Sequence, residues 1–162
     1  MASRATVGGV VLAAAVVAAC SGPPDPRAYP GSEDGVSWEE AATRYAIALP
    51  SCPTKEFRFD VQPRLRDHLV FTFVASKSCV DGFLAHYGSD PAHPALKWPR
   101  DDNHPPFQED KSQRYGWTYD LTAKSALYNG FRTPNESTFW LYVKSGAEET
   151  VYAWSLTTGA PN

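Results

Sequence analysis

Apolar residues in the first half of the chain recur first at the period of a helix. The positions that share one helical face are Trp38, Ala41, Ala42, Tyr45 and Leu49. Ser37 and Glu40 form a capping box ahead of this run, and Pro50 stops it. The pattern therefore predicts a helix from about Trp38 to Leu49.

Two strands and a second helix are predicted next. Phe57 to Val61 alternates between apolar and polar positions, which is typical of a strand with one wet face, ended by Pro63. Leu69 to Ala75 is apolar on both faces, which indicates a central strand paired with the first through a turn at 63–67. Helical spacing returns behind Ser78, and Gly88 offers a left-handed C-terminal residue; the apolar positions are Val80, Phe83, Leu84 and Tyr87.

The second half of the chain is predicted to be one long loop followed by strands. Residues 89–114 contain five prolines and no sustained period, which is typical of an ordered loop. The predicted strands are Trp117–Leu121, a weaker Ala126–Phe131, and a closing hairpin of Phe139–Val143 with Val151–Leu156. This order predicts an α+β domain, with an antiparallel sheet of about five to six strands and two helices packed on one face.

The N-terminus has the pattern of a secretory signal peptide over residues 1–19. Arg4 precedes Val7–Ala19, a run of 13 uncharged residues that ends in small side chains. A transmembrane helix needs about 20 apolar residues, so this run is too short to span a bilayer.

The sequence Val17-Ala18-Ala19-Cys20 resembles the lipobox of bacterial lipoproteins. The resemblance implies that Cys20 carries a diacylglyceryl group and becomes the mature N-terminus on the outer face of the bacterial cytoplasmic membrane. Two acyl chains, at about 0.8 kcal/mol per buried methylene, give a stable anchor. The alternative is an ordinary signal peptide cut near this point, with Cys20 incidental.

Residues 20–35 are rich in proline, glycine and acidic side chains, which predicts a flexible tether. A single domain over residues 36–162 then follows. Its two cysteines, Cys52 and Cys79, are separated by 27 residues and lack a Cys-x-x-Cys pattern. Because exported proteins meet oxidising conditions, we expect a disulfide between them, with two buried free thiols as the alternative.

Composition and charge narrow the class of protein. With 162 residues, 43% of them hydrophobic and 20% charged, the chain fits one small globular domain. The formal net charge is −3 at pH 7, and removal of residues 1–19 takes away one basic residue and no acidic one. Nothing in this balance favours nucleic acid as a partner.

Residues suited to metal binding do not form a known motif. The histidines His68, His86, His93 and His104 do not stand at the spacing of a zinc helix motif. His93 and His104 share the long loop with Asp101, Asp102 and Asn103, whose oxygens suit a divalent ion. The alternative is a solvated polar loop, and we expect no metal and no cofactor.

Catalytic motifs are likewise missing from the sequence. The chain holds no Gly-x-Ser-x-Gly or Ser-x-x-Lys motif, and no spacing pairs the carboxylates Asp81, Asp101 and Glu109 across a cleft. We therefore expect a protein that is not an enzyme. The alternatives are a small envelope hydrolase that uses the 89–114 loop and a protective or inhibitory lipoprotein.

Aromatic residues make up 13% of the chain and occupy both faces of the predicted hairpin. Trp140 and Tyr142 point away from the Phe139, Leu141 and Val143 face, and Trp98 lies in the proline-rich loop. If no second layer covers them, Trp98, Trp140 and Tyr142 form a contact surface for a sugar, a peptide or another protein. Packing in the core is the alternative.

The layout of the whole chain is similar to small uncharacterised actinobacterial lipoproteins. The features that carry this resemblance are the Trp38-led helix ending in Leu49-Pro50, the Leu69–Phe73 strand, Phe83-Leu84, Gly116-Trp117 and the aromatic hairpin. It implies location and fold, and no catalytic residues. We expect a lipid-anchored extracytoplasmic binding module that meets the membrane through Cys20 and a cell-wall or protein partner through its domain.

Overall fold

The computed structural model describes residues 24–62 and 68–155. The predicted signal peptide, Cys20, the turn at 63–67 and the chain after Ser155 lie outside the described residues. No helix in the described ranges is long and apolar enough to cross a bilayer.

The described residues form an antiparallel sheet with three helices. The helices are α1 (Trp38–Tyr45), α2 (Lys77–His86) and α3 (Glu109–Tyr115). The strands are β1 (Lys55–Gln62), β2 (His68–Ala75), β3 (Leu96–Trp98), β4 (Ser125–Arg132), β5 (Thr138–Lys144) and β6 (Glu149–Ser155). Their order across the sheet is β1-β2-β6-β5-β4-β3. A bridge from Ala28 to Phe59 adds a seventh extended segment outside β1, so the α+β class is confirmed and the sheet exceeds the predicted number of strands.

Helix α1 starts as predicted and ends four residues early. Ser37 Oγ accepts a hydrogen bond from the Glu40 N–H at 3.2 Å, which is the predicted N-cap. Ala46 then takes a left-handed conformation with φ 49°, and the Ile47 N–H bonds back to the Ala42 carbonyl at 2.9 Å. Ile47 is 4% exposed, so the chain leaves the helix where this side chain enters the core.

Helix α2 begins at Lys77, with Ser76 rather than the predicted Ser78 as its N-cap. Gly88 has φ 79°, the left-handed residue that the sequence predicted. Cys79 lies in the first turn and is bonded to Cys52, with 6.0 Å between the two Cα atoms. The predicted disulfide is therefore confirmed, and it joins the segment after α1 to the start of α2.

The region between α2 and β4 differs most from the prediction. The predicted loop at 89–114 contains β3 and most of α3, and Trp117–Leu121 is not a strand. Trp117 is buried and Tyr119 is 39% exposed. The alternation of apolar and polar residues here belongs to a segment that covers the sheet, and this segment is not a strand of it. The predicted strand at Ala126–Phe131 and the closing hairpin are present as β4, β5 and β6.

The two faces of the sheet have different covers. Helices α1 and α2 cover the helical face, whose buried strand aromatics include Phe59, Phe71, Phe73, Phe131 and Phe139. Helix α3 and the irregular chain at 99–124 cover the other face, which we call the loop-covered face. Its buried aromatics are Trp98, Phe107, Trp117, Tyr142, Tyr152 and Trp154.

This second cover corrects the predicted aromatic contact surface. Trp98 is 3% exposed and Tyr142 is 1% exposed, so neither offers a surface to a partner. Trp140 is half-buried and packs against Trp154, with ring centroids 5.9 Å apart. Core packing accounts for Trp98 and Tyr142, because α3 and its flanking chain supply the missing layer.

Residues 24–36, which we call the strap, run beside β1. The Tyr29 N–H donates to the Phe59 carbonyl at 2.7 Å, and the Glu33 N–H donates to the Val61 carbonyl at 2.9 Å. These bonds satisfy backbone groups along the outer edge of β1, which would otherwise lack partners. The ordered part of the chain therefore begins before residue 36, and the predicted tether at 20–35 is too long.

Candidate functional site

A buried carboxylate, Asp60, lies at the centre of the strongest polar cluster. The alternation of β1 directs Asp60 to the loop-covered face, where its side chain is fully buried. Its oxygens accept hydrogen bonds from Tyr115 Oη at 2.7 Å, Gln62 Nε2 at 2.8 Å and Arg114 Nε at 3.2 Å. Three donors offset the cost of burying a charge, which is large for an unpaired carboxylate.

Tyr115 fixes the C-terminal end of α3 above this carboxylate. Burial, together with the hydrogen bond to Asp60, holds the pKa of the Tyr115 hydroxyl well above its ordinary value. The hydroxyl therefore stays protonated and remains a donor. The Tyr115 ring packs against Tyr29 at 4.9 Å and Trp117 at 5.3 Å between centroids.

The same cluster binds the strap. Gln62 Nε2 and Arg114 Nη2 both donate to the Gly31 carbonyl, at 3.0 Å and 3.3 Å. Gly31 has φ 80°, a conformation that suits glycine. Strap, β1 and α3 are thus joined by one hydrogen-bonded network.

Two open grooves lie on either side of Tyr115. The lysine groove, of about 490 Å³, is lined by Gln62, His68, Asp110, Lys111, Gln113, Arg114 and Tyr115. The aromatic groove, of about 450 Å³, includes Tyr29, Arg58, Tyr115, Trp117 and Tyr152 in its lining.

The lysine groove holds a cation without an ion-pair partner among the described residues. Lys111 is half-buried, and its Nζ lies 5.7 Å from the centroid of the Trp154 ring. Burial lowers the pKa of Lys111, and the nearby Asp110 charge opposes that shift. Burial and the Lys111 charge lower the pKa of His68, so this imidazole is neutral at pH 7. An anion in the groove would offset the desolvation of the Lys111 amine.

In the aromatic groove, Arg58 and Trp117 bond to the strap. Arg58 Nη2 donates to the Ala28 carbonyl at 3.1 Å, and the guanidinium lies 5.3 Å from the Tyr29 ring centroid. Trp117 Nε1 donates to Tyr29 Oη at 3.3 Å. These contacts give the aromatic groove a structural role in holding the strap.

A third cavity, of about 510 Å³, lies beside the Cys52–Cys79 disulfide. Leu49, Pro50 and Phe83 line it, and His86 is the titratable group among its lining residues. It lies by the helical face, apart from the Asp60 network. It offers apolar contact and no charge-bearing cluster.

The side chains of the 89–114 loop that the sequence suggested for metal binding do not come together. His93 Nδ1 contacts Asp90 at 2.7 Å, and Arg100 pairs with Asp102. His104 contributes its carbonyl to Trp98 Nε1 at 3.0 Å. In the part of the chain that the structure describes, no three His, Cys, Asp or Glu side chains gather as a metal site.

The three carboxylates considered for hydrolysis are also separate. Asp81 lies on α2 and pairs with Lys77 at 2.7 Å. Glu109 opens α3 on the opposite side of the sheet and accepts from Gln113 at 3.1 Å, while Asp101 is exposed in the loop. The structure does not bring Asp81 and Glu109 together across a cleft.

Sequence reasoning did not single out Asp60, Lys111 or Tyr115. A helix at 109–115 could have been inferred, because two acidic residues open it and Gly116 follows its end. The burial of Asp60 carries no comparable signal, since Asp60 occupies the polar side of an alternating strand. Its cover comes from residues about 50 positions later in the chain.

Comparison with known proteins adds no family. No family model matches the chain, and neither a curated protein nor a solved structure shows a significant match. The roles assigned to residues therefore rest on the geometry of this chain.

Proposed function

We propose that this protein is a lipid-anchored extracytoplasmic protein that binds a ligand bearing an anionic group in the lysine groove, without catalysing its conversion. The signal-peptide pattern and the lipobox at Cys20 support export and anchoring. The Cys52–Cys79 disulfide supports the same location, since structural disulfides persist in oxidising compartments.

The main support for the binding site is the position of Lys111. Its amine is half-buried beside Trp154 and forms no ion pair within 4.0 Å among the described residues. Arg114, the other cation of the groove, is already bonded to Asp60. Lys111 therefore supplies the charge that an incoming carboxylate or phosphate would meet.

The neighbouring polar groups support binding rather than catalysis. Asp60 is fully buried and accepts hydrogen bonds from three donors. Tyr115 is held as a protonated donor by that same carboxylate. A general base needs a free acceptor within reach of its substrate, and the buried carboxylate of this network already accepts from its own donors.

A titration with inorganic phosphate and with acetate tests the groove in the isotope-labelled mature protein. Backbone amide shifts at residues 109–115 and at Gln62 should saturate. Lys111→Gln should weaken the binding about tenfold, equivalent to about 1.4 kcal/mol. Lys97→Gln, at an exposed lysine on the far edge strand β3, is the matched control and should leave binding unchanged. Shifts that do not saturate, or that survive in Lys111→Gln, would reject the groove as the binding site.

Mass spectrometry of the membrane fraction tests the anchor. The mature chain should begin at an acylated Cys20, and Cys20→Ala should release the protein from membranes. An unmodified N-terminus at another residue would reject lipid anchoring and leave the groove proposal standing on the titration.

A further inference from the structure

The strap is fixed to the domain almost from the first described residue. The Asp25 side chain is 5% exposed, and its carboxylate accepts from Arg27 Nη2 at 2.6 Å and from the Trp38 N–H at 3.0 Å. Arg27 also bonds Glu39 on α1, with Nη2 to Oε2 at 2.8 Å. Asp25 therefore joins the strap to the N-terminus of α1.

The attachment continues along the whole strap. The Ala28 carbonyl accepts from Arg58, the Gly31 carbonyl accepts from Gln62, and Ser32 Oγ accepts from the Val61 N–H at 3.0 Å. The chain from Asp25 onward is thus part of the domain. It does not act as a spacer.

Chain length then limits how far the domain can stand from its anchor. Five residues of chain lead from Cys20 to Asp25, and even fully extended they span at most about 18 Å. The tether predicted from composition, residues 20–35, would have reached about 55 Å.

We infer that the strap edge of the sheet is held against the lipid headgroup layer of the membrane that anchors Cys20. This inference rests on the acylation of Cys20 in the proposed function. The partner of this surface is the bilayer itself, and the opposite edge strand, β3, faces away.

The strap holds Asp25, Glu33 and Asp34 against Arg27, and ion pairs offset part of this negative charge. Arg27 pairs with Asp25 and Glu39, and Arg44 pairs with Glu33 at 3.0 Å. Ion pairing moderates the repulsion that acidic side chains would otherwise meet at an anionic surface.

The same placement brings the lysine groove close to the membrane. Gln62, which lines the groove, is bonded directly to Gly31 of the strap. An anionic group at the membrane surface would therefore be within reach of Lys111, whereas a ligand deep in the cell wall would not.

A quenching experiment on the full acylated chain tests the orientation. The protein is reconstituted in phosphatidylcholine vesicles that contain a lipid with a nitroxide-labelled headgroup. A fluorophore is attached in turn through Asp34→Cys, at an exposed position in the strap, and through Lys97→Cys, at an exposed position in β3. Quenching should be about twofold or more stronger at position 34, because five strand spacings place β3 about 24 Å farther away. Equal quenching at the two positions would overturn the inference.

A lengthened variant provides the matched control. Sixteen Gly and Ser residues inserted between Pro23 and Pro24 add about 20–24 Å of average reach without changing the described domain. The difference between the two labels should disappear in this variant. A difference that persists unchanged would show that something other than the short connection orients the domain, and would overturn the inference.

Vesicle flotation separates the two possible failures. Protein that does not float contradicts the acylation of Cys20, and with it both the anchor and the orientation. Protein that floats but shows equal quenching contradicts the orientation alone.

Discussion

The two faces of the sheet bury aromatic side chains of different kinds. Phenylalanine dominates on the helical face, as in the packing of Phe71 against Phe139 and of Phe73 against Phe83. Tryptophan and tyrosine dominate on the loop-covered face. Since a helix satisfies most of its own backbone hydrogen bonds, its side chains can meet rings that carry no polar atom.

An irregular cover has polar groups that need partners outside a regular element. Trp98 Nε1 donates to the His104 carbonyl at 3.0 Å, and Trp117 Nε1 donates to Tyr29 Oη at 3.3 Å. Indole rings thus add a hydrogen bond to their buried area. The kind of aromatic residue on a sheet face therefore reflects what covers that face.

Buried carboxylates show the same contrast. Asp60 on the loop-covered face has three hydrogen-bond donors. Glu149, on β6 beside the start of α2, is 8% exposed, and burial raises its pKa. The loop-covered face therefore accommodates charge, and the helical face mainly supplies stability.

The largest expected effect comes from the helical face. Phe71→Ala removes a fully buried ring that contacts Trp38, Phe73 and Phe139. The free energy of unfolding should fall by about 3–5 kcal/mol, measured by urea titration. Ser145→Ala, at an exposed turn position, should change it by less than about 0.5 kcal/mol. Equal effects from the two variants would contradict the assignment of Phe71 to the core.

The disulfide strengthens the helical face by a similar amount. Replacement of Cys52 and Cys79 by serine opens a loop of 27 residues and should lower the free energy of unfolding by about 3.5 kcal/mol in the chain-entropy model. Reduction of the wild-type protein should reproduce this change in the urea midpoint. A reduced wild type as stable as the oxidised form would show that the covalent bond adds nothing.

Indole donors should matter more on the loop-covered face. Trp98→Phe removes the hydrogen bond to the His104 carbonyl and should cost about 0.5–1.5 kcal/mol beyond the loss of ring area. Trp38→Phe makes the same chemical change under the helices and serves as the control. Thermal or urea unfolding of both variants measures the difference, and equal losses would break the contrast between the faces.

The smallest expected effect depends on pH. The pKa of Glu149 is raised above its ordinary 4.5, so the unfolded chain loses this proton first as pH rises. The free energy of unfolding therefore falls as the pH rises above 4.5, the ordinary pKa of the glutamate. Glu149→Gln should raise the free energy of unfolding at pH 7 by less than about 1 kcal/mol, with no gain at pH 3.

The matched variant on the other face should have the opposite sign. Asp60→Asn removes the charge that Arg114 and Tyr115 bind and should lower stability at pH 7 by about 1–3 kcal/mol. Unfolding titrations of both variants at pH 3 and pH 7 check the pair. Stabilisation by both substitutions would show that Asp60 is no better accommodated than Glu149.

Several features of the fold could be predicted from local patterns in the sequence. The N-cap at Ser37, the pairing of β1 with β2, the β5–β6 hairpin and the Cys52–Cys79 bond all follow from periodicity, capping and cysteine count. Each of these signals acts over a short stretch of chain or through a single pair of residues, so it can be read without the fold.

The remaining features depend on how distant parts of the chain pack together. Helix α1 ends early because Ile47 is drawn into the core, and the strap is ordered because β1 is an edge strand with unsatisfied backbone groups. Asp60 becomes a buried site because α3 places Arg114 and Tyr115 over it from more than 50 residues away. Burial and hydrogen bonding across such separations depend on how elements pack, and no local pattern in the chain records that packing.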